Sequence, residues 1–202
     1  MSGASATLST PLLLLAMPQV LDPFFHRSVV LLIRHEDEGS LGFIVNRPTG
    51  IKVAEILKGM EVDWRGREDA VAYFGGPVQP NLGTVLFGPA SAAPGGDSDF
   101  EGEAASEVLA GVSLTQHVGD LSRLAESPPE RFRLFLGYAG WGSGQLIEEI
   151  LRNDWLTAPA RGDLIFAPDS DRVWSAALES VGVDPATLPS WTPSGNDEEA
   201  AN

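Results

Sequence analysis

The chain has 202 residues, enough for one buried core, and its composition is 43% hydrophobic with a mean hydropathy of +0.00, which excludes a disordered chain. Its formal net charge is −15, and from Glu68 to Ser122 it has eight acidic residues and no Lys or Arg. Because nucleic-acid binding needs cations that replace the counterions of the phosphates, we expect no direct binding by electrostatics.

The N-terminal segment lacks the features of an export signal. The first ten residues contain no Lys or Arg, and the longest apolar run, from Leu12 to Met17, is far shorter than the roughly 20 residues that cross a bilayer. We therefore expect a cytoplasmic protein without membrane contact, folded as a single domain over residues 1–202. We expect the termini, residues 1–10 and 190–202, to be disordered, and the apolar run after the N-terminal one to be a first strand.

The first half of the chain is dominated by predicted strands. Apolar, β-branched segments indicate four strands, at residues 28–34, 41–46, 71–74 and 82–87. The first two flank a polar segment with Gly39, and the last two flank Gly75-Gly76-Pro77, so each pair is predicted to form a hairpin. A turn at residues 47–50 and a short helix at residues 53–60 lie between the two pairs.

The second half alternates between strands and helices. The patterns predict strands at residues 112–116, 131–137 and 163–167, and helices at residues 118–124, 145–153 and 169–181. Residues 131–137 alternate charged and apolar side chains, as in a strand with one solvent-facing side. Residues 88–103 are small and acidic, and we expect a mobile loop there. Hairpins mixed with strand–helix units predict an α+β fold, with a mixed, mostly antiparallel, curved sheet and helices packed on it.

The segment Gly137–Gln145 is the most suggestive motif, because it runs from a strand through a Gly-rich turn into a helix. Such a turn exposes backbone N–H groups at the positive end of the helix, where an anion can bind. The segment matches neither the Gly-Lys-Ser/Thr phosphate loop nor G-x-G-x-x-G. Alternatively, the glycines only allow the strand and the helix to pack closely.

Patterns of catalytic and metal-binding residues are missing. Ser143 lacks the flanking glycines of a nucleophile elbow, since Trp141 and Gln145 occupy those positions, and no histidine follows it. The three histidines lack the spacing of zinc ligands, and the chain has no cysteine. Glu148 and Glu149 are adjacent on a predicted helix, so at most one can face a site. We assign no catalytic residue, no metal and no cofactor.

We expect a binding site where the Gly-rich turn meets the strand end at Asn46 and Arg47, with His35 nearby. The candidate ligand-binding residues are Asn46, Arg47, Tyr138, Trp141, Gly144 and Gln145. Arg47 supplies a fixed cation, Gln145 a neutral amide, and the two aromatic residues apolar walls, which together would suit a small anion. In the alternative interpretation Asn46 caps its turn and the tryptophans belong to the core.

Several short motifs follow one another at specific spacings. In chain order they include Ala16-Met17-Pro18, Asp22-Pro23-Phe24, Ser28-Val29-Val30, Val45-Asn46, Gly75-Gly76-Pro77, Gly137-Tyr138-Ala139, Gly144-Gln145-Leu146, Glu149-Ile150 and Trp155-Leu156. From about residue 12 to residue 188 the sequence resembles the AlgH/YqgE family of bacterial proteins. It departs from the family pattern at Gly88 and Ile147, where relatives usually have His and Glu.

The resemblance implies a split, barrel-like sheet, a cytoplasmic setting and a role described as transcriptional regulation, and it brings no catalytic residues. Our leading hypothesis is therefore a non-enzymatic regulatory or binding protein that acts through a protein partner or a small anionic ligand. The alternative is an enzyme that acts on a small anionic metabolite bound at the Gly140–Gln145 turn. A direct DNA-binding regulator would need a basic recognition helix, which the sequence does not show. The oligomeric state is left open.

Overall fold

A computed structural model describes residues 8–89 and 105–189. The predicted disordered termini and the predicted mobile loop at residues 88–103 lie almost entirely outside these described residues. The strands are β1 (Leu12–Ala16), β2 (Val29–Glu36), β3 (Gly39–Ile44), β4 (Pro48–Lys52), β5 (Val71–Phe74), β6 (Val78–Phe87), β7 (Ser106–Leu109), β8 (Val112–Thr115), β9 (Phe132–Gly142) and β10 (Trp155–Pro159). The helices are α1 (Val53–Lys58), α2 (Val118–Glu126), α3 (Gln145–Leu151), α4 (Gly162–Ile165) and α5 (Ser170–Ser180), followed by a 3₁₀ turn at Pro185–Thr187.

The ten strands form one curled, mostly antiparallel sheet. Eight of them follow the order β10-β1-β2-β3-β9-β6-β8-β7. The sheet branches at β9, because one edge of this strand has two partners: β3 pairs with its C-terminal end, and β5 pairs in parallel with Phe135 and Leu136. β4 then pairs with the outer edge of β5. The predicted α+β fold with a mixed, curved sheet is confirmed.

Both faces of the sheet are covered, which explains why β1 is apolar throughout (LLLLA). Leu13 and Leu15 belong to the core beneath α4 and α5, whereas Leu14 and Ala16 belong to the core beneath α3. A third core lies between α1, α2 and the β6–β9 end of the sheet. None of the helices within the described ranges is long and apolar enough to cross a membrane.

The first predicted hairpin is confirmed, and its turn is tighter than expected. β2 and β3 pair as far as Glu36 and Gly39, so the turn contains only Asp37 and Glu38. His35 Nδ1 and Ser40 Oγ are hydrogen-bonded across the two strands at 2.7 Å, which extends the pairing beyond the apolar segments.

The second predicted hairpin is wrong, because β5 and β6 lie on opposite edges of β9. The connection between them crosses β9 at a point where only glycine fits. A Cβ atom on Gly76 would lie 2.2 Å from the carbonyl carbon of Tyr138, and one on Gly137 would lie 2.4 Å from the carbonyl oxygen of Gly76. Gly137 also has φ +69°, a conformation that favours glycine.

The predicted strand at residues 163–167 is also wrong, because residues 163–165 belong to α4. Leu164 and Ile165 are buried, and a short apolar run fits a buried helical turn as well as a strand. The sequence analysis missed β7 and β10. β10 is an edge strand that pairs only with β1, a position that tolerates its terminal Pro159.

The remaining differences concern the lengths of elements. β4 begins at Pro48, within the predicted turn at residues 47–50, and β9 continues through Gly142, so the turn before α3 contains only Ser143 and Gly144. The four predicted helices are confirmed as α1, α2, α3 and α5.

Candidate functional site

The six predicted site residues do not share one pocket; five of them line three separate clefts. Asn46 and Arg47 line a cavity of 540 Å³, which we call the arginine cleft. Gln145 lines a cavity of 390 Å³, the tryptophan cleft. Tyr138 lies in a third cavity of 250 Å³ beside the β2–β3 turn, and Trp141 contributes to both of the last two. Gly144 lines none of these three clefts.

The arginine cleft lies between the polypeptide around β2 and β3 and the N-terminal half of α5. Its lining residues are Arg27, Asn46, Arg47, Ser170, Asp171, Trp174, Ser175, Pro185 and Ala186. Two guanidinium groups face one carboxylate, so the formal charge of the lining is positive on a chain whose net charge is −15. A local reversal of charge of this kind is suited to an anionic ligand.

Asn46 is a structural part of this cleft. Its side chain is 8% exposed, its Oδ1 accepts a hydrogen bond from Val29 N at 2.8 Å, and its Nδ2 donates to Arg27 O at 3.0 Å. The side-chain amide thus supplies the hydrogen bonds that a backbone group would make if β3 continued past Ile44. It also holds the backbone of Arg27, which adopts φ 52°, and so determines where that side chain begins.

Arg47 is a partly buried cation whose hydrogen bonding is incomplete. Its Nη2 donates to His26 O, whereas its Nε is buried without a hydrogen-bond partner among the described residues. Burial lowers the pKa of Arg47 from its ordinary value, and the nearby carboxylate of Asp171 opposes this effect. An acceptor that reached this guanidinium would relieve part of the cost of its burial.

The second cation of the cleft is Arg27, which the sequence analysis did not single out. Its side chain is exposed, and its guanidinium carbon lies 5.3 Å from the ring centroid of Trp174. This distance is within the range of a cation–π contact. Trp174 is itself fixed, because its Nε1 donates to Ala16 O at 2.8 Å. The contact positions Arg27 at the cleft, and among the described residues no acceptor engages its N–H groups.

A third arginine lies behind the cleft and joins its two walls. Arg133 is 5% exposed and donates to Val45 O, next to Asn46, and to Ala167 O, ahead of α5. Its guanidinium carbon lies 4.1 Å from the ring centroid of Tyr73, and burial lowers its pKa. The prediction of one solvent-facing side for this strand is therefore wrong at Arg133. No local pattern distinguishes it from an exposed arginine, because both of its acceptors come from distant segments.

The Gly-rich turn leads into the tryptophan cleft. Gln145 Oε1 accepts from Gly142 N at 3.0 Å, and its Nε2 donates to Glu149 Oε1 at 2.9 Å. Glu149 Oε2 accepts from both Trp141 Nε1 and Trp155 Nε1, at 2.8 and 2.7 Å. The side chains around the turn thus hold a carboxylate instead of offering free donors. This arrangement does not favour the predicted anion at this turn.

His35 lies apart from both larger clefts, since it forms a cross-strand pair with Ser40 in the first hairpin. The three acidic residues that follow it are all exposed, and one of them, Glu36, forms an ion pair with Arg34 at 4.0 Å. Within residues 8–89 and 105–189, no three His, Asp or Glu side chains gather as a group that could hold a metal ion.

Together the fold and the arginine cleft define an α+β protein with a half-barrel sheet and a cationic cleft beside α5. The family model DUF179, described as AlgH-like, matches residues 13–186. The chain therefore belongs to the AlgH-like family, as the resemblance predicted.

The relatives agree with this assignment over most of their length. A UPF0301 protein of Myxococcus xanthus is 38% identical over 88% of this chain and 93% of its own, and one of Methylococcus capsulatus is 40% identical over 88% and 91%. The solution structure of the AlgH protein from Pseudomonas aeruginosa matches with a TM-score of 0.70 and 31% identity, covering 96% of this chain and 99% of that one. A crystal structure of a protein from Corynebacterium diphtheriae, with a TM-score of 0.68 and 24% identity, covers 86% and 87% and supports the fold alone.

Proposed function

We propose that this protein is a non-enzymatic, cytoplasmic regulatory protein that binds a small anionic ligand in the arginine cleft. The observation that carries the proposal is a pair of arginines at one cavity of 540 Å³: the accessible Arg27, and Arg47, whose buried Nε has no hydrogen-bond partner among the described residues. A carboxylate or phosphate would supply the acceptors that these guanidinium groups lack.

The opposite wall of the cleft adds neutral polar groups. Ser170 and Ser175 are half-buried and line the cleft, and Ser170 lies in the first turn of the 11-residue helix α5, where the helix dipole favours negative charge. Asp171 supplies one acceptor on the same wall. We therefore expect an organic anion that also carries a hydroxyl or amino donor to bind better than a simple anion.

Binding rather than catalysis is proposed because of the residue types in the cleft. Its described lining residues include no histidine, and among the described residues the only side-chain hydrogen-bond partner of a lining serine is Tyr73, whose Oη lies 3.4 Å from Ser170 Oγ. Activation of a serine hydroxyl would require a base within hydrogen-bond distance. The bound ligand would then regulate the interaction of this protein with a protein partner.

A thermal-shift screen with phosphate, citrate and adenosine monophosphate tests this function. A ligand present at 100 times its dissociation constant stabilises the folded state by about 2.7 kcal/mol, which a melting curve detects readily. Arg27→Ala should weaken the binding of a stabilising anion by about tenfold or more, since it removes one charged partner. Arg172→Ala is the matched control, because Arg172 is exposed on α5 and does not line the cleft.

The proposal fails if no anion of the panel stabilises the protein. It also fails if Arg172→Ala reduces the affinity as much as Arg27→Ala does, because the effect would then reflect the overall charge and not the cleft.

A further inference from the structure

We propose that the tryptophan cleft is a second ligand site, which binds a small organic cation through a primary ammonium group. This inference concerns the opposite face of the sheet from the core beneath α5, and it does not depend on the arginine cleft. The lining residues of the tryptophan cleft are Gln19, Val20, Leu21, Asp22, Phe25, Gly140, Trp141, Gln145, Glu149, Arg152, Asp154 and Trp155.

Three aromatic rings form one side of the tryptophan cleft. The ring centroid of Phe25 lies 5.7 Å from that of Trp155 and 6.3 Å from that of Trp141, and the two tryptophan rings are 5.8 Å apart in an edge-on arrangement. The tryptophans are only 6% and 5% exposed, so the rings are held rigidly by the core. The face of an aromatic ring attracts cations through its quadrupole.

The carboxylate of Glu149 contacts the two tryptophan rings. It accepts hydrogen bonds from both indole N–H groups and from the Gln145 amide, which together fix the position of both oxygens. Two carboxylate oxygens offer about four acceptor sites, so three donors leave room for one more. Because Glu149 already engages both indole N–H groups, these two donors are not available to an anion.

The charges around the cleft also favour a cation. Arg152 is the only cation among the described lining residues, and its Nη2 pairs with Asp154 Oδ2 at 2.9 Å. Asp22 and Glu149 then have no cationic partner among the described residues. Asp22 Oδ1 accepts from Phe24 N at 2.8 Å, which fixes this carboxylate beside Phe25. An ammonium group in the cleft would face two carboxylates and the aromatic rings, the combination that binds such groups in proteins.

The cavity of 390 Å³ has room for a short aliphatic chain next to the ammonium group. We therefore use putrescine, a four-carbon diamine, as the probe. Succinate, of the same chain length but with two carboxylates, is the matched probe of opposite charge.

The test is a titration of the ¹⁵N-labelled protein followed by NMR at the indole N–H resonances of Trp141 and Trp155. We expect putrescine to shift both resonances to saturation and succinate to leave them unchanged. Glu149→Gln and Asp22→Asn should each weaken putrescine binding by about tenfold or more, because each removes one of the two uncompensated charges. Glu148→Gln, on the neighbouring exposed residue of α3, should leave the affinity unchanged.

Failure of putrescine to shift the indole resonances overturns the proposal, as does saturable binding of succinate. Equal weakening by Glu148→Gln and Asp22→Asn also overturns it, because it would show attraction to the acidic surface in general. Asp22→Asn keeps the inference testable if Glu149→Gln does not fold, since Asp22 is exposed and asparagine retains the oxygen that accepts from Phe24 N.

Discussion

Asn46 shows how one side chain can organise the backbone around a cleft. Its amide satisfies the backbone of Val29 and of Arg27, and the adjacent Arg47 then enters the cleft. The sequence analysis placed Asn46 and Arg47 at a functional strand end and left open whether Asn46 is structural. In the structure its side chain is hydrogen-bonded to backbone groups, and its part in ligand binding stays a prediction.

We predict that Asn46→Ala lowers the free energy of unfolding by about 1–3 kcal/mol, because it leaves the buried Val29 N–H without its partner. Urea denaturation followed by circular dichroism measures the change. Asn81→Ala, at an exposed position of β6, should stay within about 0.5 kcal/mol of the wild type. Similar losses for both variants would contradict the assigned role of Asn46.

At the scale of elements, β9 is the strand that connects the two parts of the sheet. It pairs with β3, β5 and β6, it carries Arg133, and it leads directly into the turn before α3. Its Gly137, which has no Cβ atom, lets the β5–β6 connection cross close to its backbone. Gly137 and Gly144 both have positive φ, but they differ in their surroundings: only Gly137 is in close contact with another backbone segment.

We predict a much larger destabilisation from Gly137→Ala than from Gly144→Ala. Both residues have φ near +70°, so each substitution carries a conformational cost of about 1–2 kcal/mol. At Gly144 a Cβ atom would meet nothing within 4 Å, whereas at Gly137 it would lie 2.4 Å from a carbonyl oxygen. Thermal unfolding of the two variants measures the difference. Equal melting temperatures would show that the crossing is not tightly packed.

The elements that the sequence revealed are those set by local patterns. The hairpin of β2 and β3 and the helices α1, α2, α3 and α5 follow from apolar periodicity within each segment. The partners of β5 and β6 could not be predicted in this way, because each pairs with β9, more than 40 residues further along the chain. Arg133 and Arg27 were missed for the same reason: their contacts are with residues that are distant in sequence.

At the scale of the whole molecule, the clefts differ in charge. The arginine cleft is cationic on a chain of net charge −15, whereas the tryptophan cleft carries carboxylates. The six predicted site residues include members of both clefts, since the sequence could not show that the strand end at Asn46 and the turn at Gln145 lie at different clefts. A small cationic cleft within an acidic surface is suited to a small anion and not to a polyanion.

We accordingly predict no sequence-dependent binding of duplex DNA at near-physiological salt, about 0.15 M, where surface attraction is screened beyond roughly 8 Å. Fluorescence anisotropy with labelled duplexes measures this directly. The same titration at low salt is the control for weak, non-specific attraction. A sub-micromolar affinity that depends on the DNA sequence would contradict the prediction and support direct action on DNA.

The pairing of β10 with β1 has a consequence for synthesis of the chain. The register joins Leu12 to Pro159 and Ala16 to Trp155, so the outer edge of an entirely apolar strand is covered only after nearly four-fifths of the chain has left the ribosome. Until then β1 presents unpaired backbone groups of the kind that promote association between chains. Contacts so distant in sequence also slow folding. We therefore expect the outer edge of β1 to stay open to such association until residues 155–159 have been synthesised.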